Sequence, residues 1–305
     1  MAEQSPNWVN LCLTDVRKWF SDTITSFESM IPMLFNTDTS DRQEEYDMTY
    51  TGLGNWKRFD GAAVKDSMTE EYKKTYDFPE WMNSIDIRRK LWDDKRDRSV
   101  MNMAKELALS FNRTKEAHAA EIFNYAFTAT GTYSGGGSTK GPDGKALCAN
   151  DHPSTADGAY RGDNLSTEAF SAAAVETDRQ EFRKLTDGRG NRIYAKMDML
   201  LVPGALEEQA WEIINSKGKV DTADNNANFH KGRYKLAVWD ELTDPENWFS
   251  IDSERMKMYL WWITRIPVEN WKEFDNQTQT LTFGGYARYG LGYSSWRWLI
   301  GHNVG

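Results

Sequence analysis

The segment 96–127, RDRSVMNMAKELALSFNRTKEAHAAEIFNYAF, predicts a single long helix. Its mostly apolar stripe recurs every three or four positions, the spacing of one helix face, and comprises Val100, Met103, Leu107, Phe111, His118, Ile122 and Phe127. At about 1.5 Å per residue the segment would span about 48 Å, far more than a mean globular helix of about 11–12 residues. Neither proline nor glycine interrupts it. We therefore expect this helix to be the architectural spine of the protein.

Two less regular segments precede the spine. Residues 1–49 are predicted to form an arm with one helix, capped by Thr14 or Asp15 and carrying a single apolar stripe, namely Val16, Phe20, Ile24, Phe27 and Ile31. Residues 50–93 are predicted to form a two-stranded excursion, with alternating pieces at Trp56–Phe59 and Trp81–Ile87 and a charged stretch between them. Because few of these residues could form a core of their own, the excursion should need a partner surface.

The part that follows the spine has the pattern of an α+β unit with a mixed sheet. A glycine-rich loop region is expected at 131–164, and Ser166 is predicted to cap a helix that runs to about Lys184. A second helix is expected at Ala205–Asn215. Short strands are predicted at Met199–Val202, Tyr234–Trp239, Trp248–Ile251, Tyr259–Trp262, Thr280–Phe283 and Arg288–Tyr293.

Composition excludes several classes of protein. The chain has 305 residues and a net charge of −9, which argues against a protein that grips nucleic acid by neutralising phosphates. Two cysteines do not make a disulfide scaffold, and a reducing compartment fits them best. The sequence contains no apolar run of about 20 residues, the length that a membrane-spanning helix needs. Its first residues lack the basic region and the apolar core of a signal peptide.

The sequence predicts no catalytic residue, no cofactor site and no metal site. Gly135–Gly137 lack the spacing of a phosphate loop, and Cys148 with His152 has no second pair of zinc ligands. The four histidines are scattered along the chain, and no serine lies in a nucleophile elbow. Six tryptophans crowd the C-terminal part, where they fit either a core or an interface, namely Trp248, Trp261, Trp262, Trp271, Trp296 and Trp298.

Short motifs in a fixed order give the chain a family resemblance. They are Tyr50–Gly54 with Asp60-Gly61, Arg88–Asp94, Leu107–Phe111, Asn124–Phe127, Asp143–Cys148 with His152-Pro153, Leu165-Ser166, Leu200–Glu207, Leu242–Asp244 with Asn247–Phe249, and Tyr293–Trp298. Each motif is weak alone, but their number and spacing are specific. The chain resembles the major capsid proteins of tailed bacteriophages with the Hong Kong 97-like fold, nearest the head-subunit group of Mu-like phages.

The resemblance implies an α+β capsid fold in five parts. These are an N-terminal arm (1–49), an extended β-hairpin loop (50–93), a peripheral domain (94–164) with the spine helix (96–127), an axial domain with a mixed sheet (165–279) and a strand that returns to the peripheral domain (280–305). The arm and the extended loop should fold fully only in contact with neighbouring copies. The expected intersubunit contacts are Trp56, Lys57, Arg58, Lys65, Lys73, Lys74, Trp81, Arg88 and Arg89.

The resemblance also implies the partners. The chain should bind itself in hexamers and pentamers and form an icosahedral head around double-stranded DNA, without sequence-specific DNA binding, catalysis, cofactor or membrane. A separate scaffolding protein, a portal and a decoration protein are further expected partners. The place of the protein is then the virion, assembled in the host cytoplasm. Two alternatives stay open at this point: an encapsulin-like nanocompartment shell and a soluble enzyme.

Overall fold

A computed structural model describes residues 7–61, 64–153, 162–218 and 226–305. Residues 1–6 of the predicted arm and 154–161 of the predicted peripheral domain lie outside the described part of the chain. The helices are α1 (Asn7–Ser26), α2 (Ile31–Leu34), α3 (Arg89–Asp93), α4 (Asp97–Asn124), α5 (Ala172–Phe182), α6 (Glu207–Asn215) and α7 (Ser253–Tyr259), with a 3₁₀ turn at Gly204–Leu206. The strands are β1 (Asn36–Thr39), β2 (Glu44–Tyr50), β3 (Glu70–Asp77), β4 (Glu80–Arg88), β5 (Leu165–Ser166), β6 (Met199–Val202), β7 (Lys235–Val238), β8 (Trp248–Ile251), β9 (Leu260–Asp275), β10 (Thr280–Tyr293) and β11 (Leu299–His302).

Helix α4 is the predicted spine, and its 28 residues span about 42 Å. It ends at Asn124 rather than near Phe127, because the last turn tightens: the Ala126 amide donates to the Phe123 carbonyl three residues before it. Its buried side follows the predicted stripe, with Val100, Leu107 and Ile122 inside. The prediction of one long uninterrupted helix is therefore confirmed, with a slightly shorter C-terminal end.

A four-stranded sheet of order β1-β9-β10-β4 packs against the spine. Strands β9 and β10 form a hairpin of 16 and 14 residues with a bulge near Arg288, where short separate strands were predicted. Charged and polar residues on the outer side of β9 hide its length from a search for apolar runs. The predicted boundary between residues 279 and 280 falls in the turn of this hairpin, so both of its strands lie in one sheet.

The two-stranded excursion exists, but its strands differ from those predicted. Strand β3 (Glu70–Asp77) pairs with β2 (Glu44–Tyr50), so the hairpin begins inside the predicted arm. The predicted piece Trp81–Ile87 is a strand, β4, but it pairs with β10 at the edge of the four-stranded sheet. The other predicted piece, Trp56–Phe59, has no regular structure. The charged residues at the start of β3 are strand residues because a partner strand pairs with them.

The hairpin crosses the four-stranded sheet at two glycines of β10. A Cβ atom on Gly290 would lie 2.2 Å from the backbone oxygen of Asp77, and one on Gly292 would lie 3.0 Å from the Tyr76 ring. Neither position leaves ordinary room for a side chain. Tyr76 and Phe78 are buried with Ile263 at this crossing, and the base of the hairpin is therefore fixed to the sheet.

The helix of the predicted arm is buried within its own chain. Helix α1 begins at Asn7, well before the predicted caps, and the Thr14 hydroxyl donates to the Asn10 carbonyl inside the helix. Val16 and Phe20 pack against the spine and the four-stranded sheet, where the Phe20 ring meets Phe283 edge-on at 5.8 Å. Part of the apolar stripe of this helix is therefore covered within its own chain.

A second sheet, of order β5-β11-β8-β6-β7, forms the other half of the molecule. It is mixed as predicted, with β6 and β7 parallel and β8 antiparallel to β6. Ser166 lies in strand β5 and does not cap a helix, which corrects the predicted start of α5. The cap is Ser171, whose hydroxyl accepts from the Ala174 amide at 3.1 Å.

One aromatic core connects the second sheet to the spine. Phe123, near the C-terminal end of α4, meets Trp239, Phe249 and Trp298 edge-on at centroid distances of 6.0, 5.4 and 6.1 Å. Trp248 and Trp298 are fully buried. For these tryptophans the core explanation is correct, and the two sheets share one continuous core.

Candidate intersubunit surface

The buried histidines serve structure. The His152 ring stacks on Trp296 at 4.3 Å, with Nδ1 2.5 Å from Asp143 and Nε2 3.0 Å from Asn164. Its side chain is closed off from solvent. A histidine with both ring nitrogens occupied in the interior cannot reach a substrate, so this ring joins loop segments instead of performing catalysis.

A second buried histidine, His302, joins three elements of the five-stranded sheet region. His302 stacks on Trp248 at 3.6 Å, and its Nε2 lies 2.8 Å from the carboxylate of Asp178, which also accepts from Ser250 at 2.5 Å. Since all three polar groups are buried, this is a closed polar network between α5, β8 and β11.

The two cysteines are inert at neutral pH. Burial raises the pKa of the Cys12 thiol to about 12, and burial also raises the pKa of Cys148 well above its usual range. A thiol that stays protonated is neither a nucleophile nor a metal ligand. Within the described part of the chain, no group of three or more metal-ligating side chains occurs.

Several exposed apolar side chains lie on the connection between β2 and β3, residues 51–69, which we call the loop tip. Its described residues lack regular secondary structure. Trp56 is fully exposed at 101%, and Phe59 is 74% exposed. Further apolar side chains that are at least half exposed lie on or beside the tip, namely Tyr46, Tyr50, Leu53, Val64 and Met68. A cluster of exposed aromatic and aliphatic side chains marks an interaction surface.

Polar contacts hold the two ends of the loop tip against the turn that follows α5. Arg189 donates to Asp66 at 2.9 Å and to the Ser67 carbonyl at 2.6 Å, while the Gly54 amide donates to Asp66 at 2.7 Å. The hydrogen bond from Arg189 lowers the pKa of the Asp66 carboxyl. Asn191 donates to the Leu53 carbonyl at 3.1 Å. These contacts leave the apolar middle of the tip facing solvent.

The nine predicted contact residues occupy three places. Trp56, Lys57, Arg58 and Lys65 lie exposed on the loop tip. Lys73 and Lys74 lie on β3, where Lys73 is exposed over the Tyr46 ring at 4.5 Å and burial lowers the pKa of half-buried Lys74. Trp81 and Arg88 lie on β4, and Arg89 begins α3 directly after it.

Trp81 of β4 packs inside the chain. Its ring stacks on Tyr289 at 5.5 Å with an angle of 8° between the planes, and it lies 5.0 Å from His118 of the spine. Arg88 and Arg89 are exposed, and Arg89 bonds Asp93 at 3.2 Å and Gln279 at 3.0 Å. The structure thus gathers only the first four predicted residues on one projecting surface.

Sequence reasoning overlooked most of the apolar residues of this surface. Leu53, Val64 and Met68 follow neither helix nor strand spacing, so a search for periodic patterns passes over them, and Phe59 belongs to a predicted strand that the structure does not form. The signal was the presence of large apolar side chains in a segment without periodicity. Elsewhere on the chain, Met82 of the edge strand β4 is also exposed, at 69%.

The spine helix contacts both sheets, and the loop that connects β2 to β3 carries exposed apolar side chains. Residues 74–300 match the family model described as phage capsid protein. The chain belongs to this family of phage capsid proteins.

Solved capsids share its fold. The chain is similar to the capsid of an empty GTA particle, with a TM-score of 0.56 and 12% identity over 89% of this chain and 88% of that one. It is similar to the mature capsid of bacteriophage PhiM1, with a TM-score of 0.55 and 11% identity over 91% and 87% of the two chains. It is also similar to the procapsid of bacteriophage JBD30, with a TM-score of 0.52 and 13% identity over 98% of this chain and 76% of that one. No curated protein is significantly similar to the chain.

Family and fold together establish the role. The protein has the Hong Kong 97-like fold and is a structural major capsid protein that forms an icosahedral phage head. It resides in the virion, and its family consists of shell proteins rather than enzymes. Among the described helices, none combines the length and the apolar character that crossing a membrane requires.

Proposed function

We propose that the subunit associates in hexamers and pentamers and that the loop tip, with Trp56 at its centre, is one of its intersubunit contacts. The observation that carries this proposal is the concentration of large exposed apolar side chains on one segment, the loop tip, where Trp56 is fully exposed. Tryptophan and arginine dominate the energetics of protein interfaces, and Arg58 lies two residues from Trp56. The exposed Lys57, Lys65, Lys73, Arg88 and Arg89 join this contact surface in the proposal.

The two sheets correspond to two capsid domains in this proposal. The five-stranded sheet with α5 and α6 forms the axial domain around the centre of each capsomer. The four-stranded sheet with the spine helix α4 forms the peripheral domain, and the β2–β3 hairpin is the extended loop. This division follows the observed sheet membership, which places β9 and β10 together and β11 beside β8.

The proposed cargo is double-stranded DNA, held without sequence-specific contacts. A net charge of −9 is more compatible with a shell that encloses DNA than with a protein that binds DNA tightly, because tight DNA binding needs clustered basic residues that contact the phosphates. We include a separate scaffolding protein, a portal and a decoration protein as partners, and assembly in the host cytoplasm, by resemblance to tailed phages.

The test is assembly of the purified protein, followed by electron microscopy and extraction of nuclease-protected nucleic acid. We expect closed icosahedral shells with pentamers at their vertices, and protected double-stranded DNA in particles from their natural source. A variant in which residues 55–61 are replaced by a glycine-serine linker of equal length should remain folded and fail to form shells. Particles that hold protein cargo and no DNA would instead identify a nanocompartment shell.

A further inference from the structure

A pocket at one end of the five-stranded sheet is lined mainly by basic side chains. It has a volume of about 530 Å³ and lies between the end of α5, the segment before β6 and the segment before β7. We call it the basic pocket, and its cations are Arg179, Arg183, Arg192, Lys196 and Arg233. Such a concentration of positive charge stands out in a chain with an acidic excess of nine.

Part of the basic pocket is held in place by an aromatic ring. The guanidinium of Arg233 lies 3.8 Å from the centre of the Phe229 ring, and that of Arg179 lies 5.0 Å from it. Arg179 also donates to Glu176 at 2.8 Å, and this hydrogen bond lowers the pKa of Glu176 to about 2. Two of the five cations are therefore positioned by packing or pairing before any partner arrives.

The other three cations have no carboxylate partner. Arg183, Arg192 and Lys196 are exposed and form no ion pair with any residue that the structure describes. Three unpaired cations beside two fixed ones make a site for carboxylates, since arginine binds them with two parallel hydrogen bonds.

Helix α6 presents the complementary charge. Its inner side buries Ala210, Ile213 and Ile214, while its exposed side, which we call the acidic face, carries Glu207, Glu208, Trp211 and Glu212. Trp211 is 59% exposed among these carboxylates. In the described part of the chain none of the three glutamates forms an ion pair. A large aromatic side chain ringed by unpaired carboxylates has the composition of a binding hot spot.

The basic pocket and the beginning of the acidic face lie at opposite ends of the sheet. The pocket residues precede the parallel strands β6 and β7, whereas α6 begins after the last residue of β6. Two different patches that complement each other produce a head-to-tail contact, and a contact of this kind closes into a ring when the rotation between copies permits.

We propose that the basic pocket of one subunit receives the acidic face of α6 from the next subunit in the ring. Glu208 and Glu212 then pair with the unpaired arginines, and the Trp211 ring stacks on a guanidinium. The partner is a second copy of this chain. This inference rests on the proposed function, the formation of ring-shaped capsomers, and it identifies the contact between subunits within them. Every subunit then uses its basic pocket to contact one neighbour in the ring and its acidic face to contact the other.

Charge reversal on each patch tests this contact. R183E/R192E and E208R/E212R should each reduce the yield of assembled particles by about tenfold or more, because like charges then face each other. A chain with all four substitutions should recover assembly, since the charges of the proposed pairs are exchanged together. R17E/K18E, which reverses two exposed cations of α1, has the same net charge change as the pocket variant and should assemble normally.

Mixing the two defective variants gives a sharper test. In a ring where they alternate, every contact joins opposite charges, and alternation closes only in rings with an even number of copies. Co-expression should therefore restore hexamers and not pentamers, as seen by electron microscopy. If neither the four-fold variant nor the mixture recovers assembly, or if the single-patch variants assemble normally, the inference is overturned.

The outcomes also separate this inference from the proposed function. Normal shells from every variant would refute the contact and leave the capsid role intact, whereas wild-type protein that never forms rings would refute the capsomer proposal itself. Full assembly of R183E/R192E with loss of packaged DNA alone would show that the basic pocket faces phosphates, which would also overturn the inference. Circular dichroism of each unassembled variant checks that it is folded.

Discussion

Trp56→Ala should abolish assembly without changing the stability of the isolated subunit. The Trp56 side chain is fully exposed in the chain, so its removal takes away no internal packing. In a neighbour's surface a tryptophan buries about 150–250 Å². At about 25 cal/mol per Å² this corresponds to an upper limit of about 4–6 kcal/mol for each contact.

The measurable loss should be smaller than this limit, because ordering the loop tip opposes binding. A hot-spot residue costs at least about 2 kcal/mol on truncation, which is about a thirtyfold weaker contact. Since every subunit repeats the contact, the effect on closed shells is multiplied. We therefore expect soluble, folded subunits and no shells at concentrations where the wild type assembles.

Trp81→Ala is the matched control. Trp81 stacks on Tyr289 within the chain, so its removal should lower the free energy of unfolding by about 2–4 kcal/mol. Thermal melting of unassembled subunits and sedimentation of assembly reactions give the two readouts. If Trp56→Ala forms shells with the wild-type yield, or if its melting temperature falls as that of Trp81→Ala does, the assignment of the loop tip is refuted.

Three further predictions concern the folding of the subunit and the base of the hairpin. His302→Ala should cost about 3–5 kcal/mol in urea unfolding, because it leaves the buried Asp178 carboxylate with Ser250 alone from this network and removes the ring stacked on Trp248. A cost below about 1 kcal/mol would contradict this. Gly290→Ala should displace the β2–β3 hairpin, since the new Cβ would clash with the Asp77 carbonyl. We expect increased protease sensitivity in the hairpin and loss of shells. Proteolysis at the wild-type rate would contradict the close packing of the hairpin on β10. Burial lowers the pKa of His118 despite nearby Glu121, so the unfolded chain binds a proton at this residue before the folded chain does. The free energy of unfolding should therefore decrease as the pH is lowered below about 6.5, by at most about 1.4 kcal/mol per pH unit. His118→Gln should remove this part of the slope in acid titrations of stability.

Some of the fold could be predicted from the sequence because it depends on local periodicity. The spine helix has one apolar stripe and no helix-breaking residue, so its secondary structure depends little on contacts with distant parts of the chain. The mixed sheet of the C-terminal half was also predictable, because β6 and β8 are short buried runs. Its α5 cap was misplaced, since Ser166 and Ser171 are both good caps and only the pairing of β5 with β11 decides between them.

The hairpin could not be predicted because its strands depend on distant partners. Strand β3 has the sequence EEYKKTYD, which lacks an apolar face and is a strand only through its pairing with β2 and its crossing of β10. Conversely, Trp81 starts an alternating run that resembles a projecting strand, yet it packs on Tyr289, more than 200 residues later in the chain.

The basic pocket shows the same limit at the level of a site. Its cations come from three separate segments, around residues 179–183, 192–196 and 233. In the sequence each segment has the appearance of an ordinary solvated surface. Only the parallel pairing of β6 with β7 brings the last two segments to one end of a sheet, so the net charge of the chain gave no indication of the pocket.

The β2–β3 hairpin combines a fixed base with a weakly held tip, and this difference suits a subunit that must occupy more than one environment. At the base, Tyr76 and Phe78 are buried where β3 crosses the glycines of β10, and removing them from that packing would be costly. At the tip, Arg189 holds Asp66 at the surface, where an ion pair contributes little to stability and exchanges readily. A neighbouring subunit can therefore replace the contacts of the tip without disturbing the sheet. In the proposed hexamers and pentamers the angle between neighbours differs, and we expect a loop with this construction to adjust to both angles while each subunit core stays the same.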